Sequence, residues 1–172
     1  MDAHDVLYYA HRTVERSLEG LPEDAWHTPG VCGVWSVKDI IAHLASFEHL
    51  LVEVLRSLTD RVPTLTLQRY ISNPTFNDEE VSRRKSLSAQ QVWEEYASTH
   101  SHTLELVSQI PPEMQRQSGL LPWYGEEYDL EDFIVYSFYG HKREHTAQIN
   151  VYKDYLKGLG LGSIVTQADE GG

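Results

Sequence analysis

The chain has 172 residues, enough for one domain with its own core. With 41% apolar and 23% charged residues it reads as globular rather than disordered, and its formal net charge of −12 argues against a nucleic-acid partner, because phosphate backbones would repel it. The single cysteine, Cys32, excludes an internal disulfide and suits a reducing, cytoplasmic home, while the absence of a basic start followed by an apolar run, or of any run near 18–20 apolar residues, argues against a signal peptide and a membrane span.

Four long helical patterns follow in order. Leu7, Ala10, Val14 and Leu18 recur at three- and four-residue steps, which predicts a first helix over residues 3–20, ended by Pro22. A loop carrying Pro29, Gly30 and Gly33 leads to Ser36, an N-cap with Asp39 at the third helical position. Trp35 just before it is placed to staple the first turn. Ile40, Ile41, Leu44, Phe47, Leu51, Leu55 and Leu58 give the second helix its apolar face. Residues 60–87 lack a clear stripe and hold Pro63 and Pro74; a short helix near 79–85 is the one element they suggest. Ser88 with Gln91 forms a capping box for a third helix, stopped by Pro111 and Pro112. After a loop containing LLPWYGEEY, Asp129 caps a fourth helix. Its stripe is Ile134, Phe138, His141, His145, Gln148, Tyr152 and Leu156, and it ends at Gly158. The expected organisation is one bundle domain over residues 1–158 and a loosely held tail over 159–172.

Nine histidines are present, and their helical positions sort them. His141 and His145 are four apart on the inward stripe of the last helix, so both imidazoles lie on one face and can close on a single ion. Burying both without a partner would be costly. His43 borders the buried face of the second helix and would complete a three-histidine site with an open position, the mark of a catalytic rather than a structural metal. His4 and His11, seven apart, are too far apart along their helix to chelate one ion. His100 and His102 point to different sides, His27 lies in a loop, and His49 faces away from His43. These read as surface or packing residues. Asp39, one turn before His43, is a weak candidate for orienting its ring or acting as a base; a helix-dipole role is the better explanation of it. Trp123, Tyr124, Tyr136 and Tyr139 are candidates to line a substrate pocket. Glu144 points sideways, and Cys32 reads as a small filler.

The segments WSVKDIIAHLASFE and HKREHTAQI resemble those of the DinB-like superfamily, whose members carry one metal-binding histidine in the second helix and two, four apart, in the last. The segment PWYGEEYDLEDFIVYSFYGH is similar to that of the DfsB/ClbS-like branch. The resemblance implies an all-α, up-down-down-up four-helix bundle with a long crossover between helices two and three. It also implies a divalent metal on His43, His141 and His145, with imidazole suiting Zn²⁺ or Ni²⁺, and frequent homodimers. The implied activities are transfer of a low-molecular-weight thiol, or of water, to small electrophilic substrates in detoxification or stress. The alternative is a small-molecule binding or sequestering protein without turnover.

Overall fold

Capping boxes start long helices of the protein, seen in a computed structural model that describes residues 2–160. Helix α1 spans Ala3–Leu18 and starts at Asp2, whose side chain accepts from the Asp5 amide. Helix α2 spans Val37–Thr59; Ser36 Oγ accepts from the Asp39 amide, and the Asp39 carboxylate accepts in return from the Ser36 amide at 3.0 Å. Helix α5, Ala89–Ser108, opens on the same device, built from Ser88 and Gln91. Ser36→Ala should cost about 1 kcal/mol of stability, the usual worth of such a cap. A urea midpoint unchanged from wild type would show that Trp35 alone holds this helix start.

The core falls into two layers. One gathers Val14 of α1, Val37, Ile40, Ile41 and Leu44 of α2, Val92 and Tyr96 of α5, and Ile149 near the C-terminus. The other gathers Ala3 and Leu7 of α1, Leu50, Leu51, Val54 and Leu55 of α2, Leu106, Val107 and Ile110 of α5, and Leu130, Phe133, Ile134 and Phe138. Position along the chain rises together in α2 and α5, and opposite to them in α1 and the last helix. The bundle is therefore up-down-down-up, with α2 parallel to α5, and it is all-α, as expected. Among the described residues the one β interaction is an isolated bridge between Cys32 and Trp35. Each fully buried leucine of these layers contributes about 1.5–3 kcal/mol relative to exposure.

The crossover from α2 to α5 is more ordered than its sequence predicts. It holds α3, Leu65–Ser72, and α4, Phe76–Arg83, instead of one short helix near 79–85. The cause is not local. The first amides of α3 are capped from α2: the Glu53 carboxylate accepts from the Thr66 and Leu67 amides, both at 3.0 Å. Arg69 of α3 then pairs with Glu80 of α4 at 2.8 Å, and Arg84 pairs with both Glu80 and Glu95 of α5. A helix nucleated by a distant side chain leaves no cap signature in its own sequence.

A short helix, α6, spans Pro112–Gln115. The fourth long helix is composite. Helix α7, Leu130–Ile134, is capped by Asp129 as expected; residues Val135–Gly140 widen into a π-helical turn; and α8 continues over His141–Gly158. Lys142, four residues after Phe138 and three before His145, is buried with them on the inward face, which the apolar stripe had not included. The expected tail from residue 159 lies, beyond Gly160, outside the described residues.

Candidate metal centre

The inward face of α2 and the start of α8 bring His43, His141 and His145 together. His43 Nε2 lies 2.8 Å from His141 Nε2, which lies 3.0 Å from His145 Nε2. Ligand atoms of all three fall within 4.8 Å of one another. Three imidazole nitrogens bound to one ion at about 2.0–2.1 Å stand roughly 3.3 Å apart, close to what is seen.

Proton bookkeeping shows why a cation fits between these rings. His145 Nδ1 is 2.8 Å from Gln148 Oε1, so Nδ1 carries the proton and donates it, leaving Nε2 with a lone pair. His141 Nε2 faces two nitrogens but could donate at most one hydrogen. His43 Nδ1 is buried and has no hydrogen-bond partner. No assignment of tautomers satisfies the cluster, because three Nε2 atoms converge and donors are too few. An ion accepting three lone pairs resolves it.

Burial keeps the rings neutral, as ligation requires. Burial, aided by the charge His141 and His145 would carry, depresses His43 to about 2. Burial, with His145 and Lys142 adding to it, depresses His141 to about 3. His145 is lowered by burial too, against the opposing pull of Gln148 and Glu144. The consequence for stability has a definite sign. Below about 6.5 the unfolded chain takes protons that the folded rings refuse, so the metal-free protein should lose stability steadily as pH falls from about 6.5 toward 3. Melting temperatures of chelator-treated protein between pH 7.5 and 5.0 test this, above the range where most carboxylates titrate. A flat profile would mean the rings are charged when folded.

Two aromatic rings wall the cluster. Trp35 lies 4.9 Å from His43 and 6.5 Å from His145, centroid to centroid, and Phe47 lies 4.8 Å from His43 and 4.6 Å from His141. Tyr70 of α3 packs on Phe47 at 5.4 Å and brings the crossover to the same wall. Trp35 is held by its backbone bridge to Cys32, across a turn in which Gly33 adopts φ +58°. From sequence, Trp35 is expected as a staple and Phe47 as core. The signal that they line the site was their spacing: Phe47 is one turn after His43, and Trp35 precedes the same helix.

The other candidates are placed elsewhere. Trp123 and Tyr124 pack on Phe133 and on each other, Tyr136 is exposed beside Tyr128, and Tyr139 accepts from Arg143 Nη1 at 3.0 Å. The Asp39 carboxylate is taken up by Ser36, while the Nδ1 of His43 that it might have oriented has no partner. His49 pairs with Glu95, and His27 and Glu144 are exposed. His100 is a packing residue, but a deeply buried one: it stacks on His11 at 4.2 Å and sits 3.4 Å from Glu48. Cys32 is half-buried. Among the described residues no helix is long and apolar enough to cross a membrane.

Comparison with known proteins gives a family match. Residues 8–127 match the family described as mycothiol maleylpyruvate isomerase N-terminal domain, a span that includes His43 and ends before α7 and α8. No curated protein and no solved structure matches the chain. The match names the mycothiol family and does not name the DfsB/ClbS-like branch. With well over half its length matched and an all-α bundle carrying a three-histidine cluster, the chain belongs to the mycothiol maleylpyruvate isomerase N-terminal domain family of the DinB-like superfamily.

Proposed function

We propose that the protein is a metal-dependent enzyme transferring a low-molecular-weight thiol, or water, to small electrophilic substrates, with a divalent ion held by His43, His141 and His145. The observation that carries this reading is the convergence of three neutral Nε2 atoms with too few donors to satisfy them. Three protein ligands leave a fourth position for a reactant. A divalent ion there would lower the pKa of a thiol or water so that it is nucleophilic near neutral pH.

The chain's own residues then have distinct tasks. Gln148 fixes the tautomer and orientation of His145. Trp35 and Phe47 keep water from the flanks of the imidazoles and offer apolar surface to a substrate. Trp123 and Tyr124, which pack on Phe133, and the exposed Tyr136 lie apart from the histidines and would meet only a substrate that extends beyond the metal. Among the described residues no carboxylate joins the three histidines in the cluster, so none stands beside the ion to take the proton of the incoming thiol or water. That same feature favours the second reading, a binding or sequestering protein without turnover.

Elemental analysis of untagged protein should find about one divalent ion per chain, Zn²⁺ or Ni²⁺ being the best suited to imidazole. The reloaded protein should then consume electrophiles in a panel of thiol cosubstrates. No uptake above a His43→Ala/His141→Ala/His145→Ala variant would sink the site. Stoichiometric metal with tight electrophile binding but no turnover would select the sequestering reading.

A further inference from the structure

A second polar cluster lies against the histidines and is left unused by the function just described. Glu48 of α2 and Lys142 of α8 are 0% and 2% exposed and form an ion pair in the bundle interior. Helix α5 closes the third side. Thr103 donates its hydroxyl to Glu48 Oε2 at 2.9 Å, and His100 Nδ1 stands 3.4 Å from both that oxygen and Lys142 Nζ. Burial opposes ionisation of Glu48, but the Lys142 ammonium and the His100 ring outweigh it and hold the carboxyl well below the usual range.

Such a pair is a poor way to stabilise a core. Desolvating two charges costs about as much as their attraction returns, and apolar residues of similar size often serve as well or better. Its placement suggests another role. On α2, Glu48 follows His43 by five residues and Phe47 by one. On α8, Lys142 directly follows His141 and lies three residues before His145. The helices are thus joined at two adjacent levels, once by the imidazoles and once by the ion pair. A π-turn over Val135–Gly140 comes immediately before these residues, and both His141 and Lys142 reach side chains of α2. Widened turns of this kind are frequent at functional sites.

We propose that the Glu48–Lys142 pair is a positioning device that fixes the axial and rotational setting of α8 against α2, and thereby the geometry in which His141 and His145 meet the ion opposite His43. The inference rests on the metal reading above. Neither residue touches the ion or the substrate; both act through the ligands.

The test is Co²⁺ binding, read by visible absorption bands that report coordination geometry and by competition with a chromophoric chelator. Two variants are compared with wild type. Glu48→Leu/Lys142→Met removes both charges at once, and Glu48→Asp keeps both but shortens the reach of the carboxylate by one methylene. Leu55→Ala, in the same helix and fully buried, serves as a destabilised control. Both pair variants should alter the Co²⁺ bands and weaken binding by about 10- to 100-fold, the range for residues that hold metal ligands in place, while Leu55→Ala leaves bands and affinity as in wild type. If the double variant does not fold, Glu48→Asp decides alone. Wild-type bands and affinity in the folded pair variants, or equal changes in Leu55→Ala, would overturn the proposal. Failure of the wild type to bind Co²⁺ would instead overturn the metal reading on which it stands.

Discussion

Lys142→Met, or Glu48→Leu, made singly should cost about 3–5 kcal/mol of folding free energy, while the two together should come out near neutral. Either single change strands a charge where there is no water. After Glu48→Leu, an ammonium on a side chain that is 2% exposed must either shed its proton or drag in solvent. After Lys142→Met, the Glu48 carboxylate keeps only Thr103 and His100 as partners. His100 is held neutral mainly by burial and could take up a proton to compensate, so this variant should be the less damaged of the two and should recover partly at mildly acidic pH. A loss of this size is a large share of the about 5–15 kcal/mol that holds a domain together. Urea midpoints of the two single variants and the double variant complete the cycle. A double variant as unstable as the sum of the singles would mean the residues do not act as a pair.

Loss of any one histidine ligand should weaken Zn²⁺ or Ni²⁺ binding more than any neighbouring change. Under the proposed metal reading, His43→Ala removes the one ligand offered by α2, and His141→Ala removes the ring that lies between the other two. Either leaves two ligands, and affinity should fall well beyond 100-fold. Gln148→Leu removes the acceptor that holds His145 in place, and should cost about 10- to 100-fold. Asp39→Asn should change metal affinity little, because that carboxylate is engaged by Ser36 at the helix start, and its loss should appear instead in thermal stability. His49→Ala, at the exposed pair with Glu95, should leave the metal untouched. Calorimetric titration of this series in one buffer ranks the effects. A Gln148→Leu variant that loses more affinity than His43→Ala would show that the ion, if present, is not centred on the three imidazoles.

Much of this protein is written in local sequence. Ser36 with Asp39, Ser88 with Gln91, and Asp129 with Asp132 are capping pairs three residues apart, and each helix starts where its pair stands. The 3.6-residue recurrence of leucine, isoleucine and valine sets which faces are buried, and the four-residue spacing of His141 and His145 places both rings on one face. These features depend only on neighbours within one or two turns, so a single chain read in order reveals them. Tertiary structure alone decided the rest, because the partners are distant in sequence. Helix α3 exists because Glu53, more than ten residues earlier, caps its amides. Lys142 can be buried because Glu48 and His100, 94 and 42 residues away, meet it there. The wall around the histidines includes Trp35 and Phe47, which the sequence did not single out as pocket residues, since it is the crossing of α2 with α8 that selects which rings come near. Helical periodicity tells which side of a helix faces inward; only the packing of one helix on another tells what it faces.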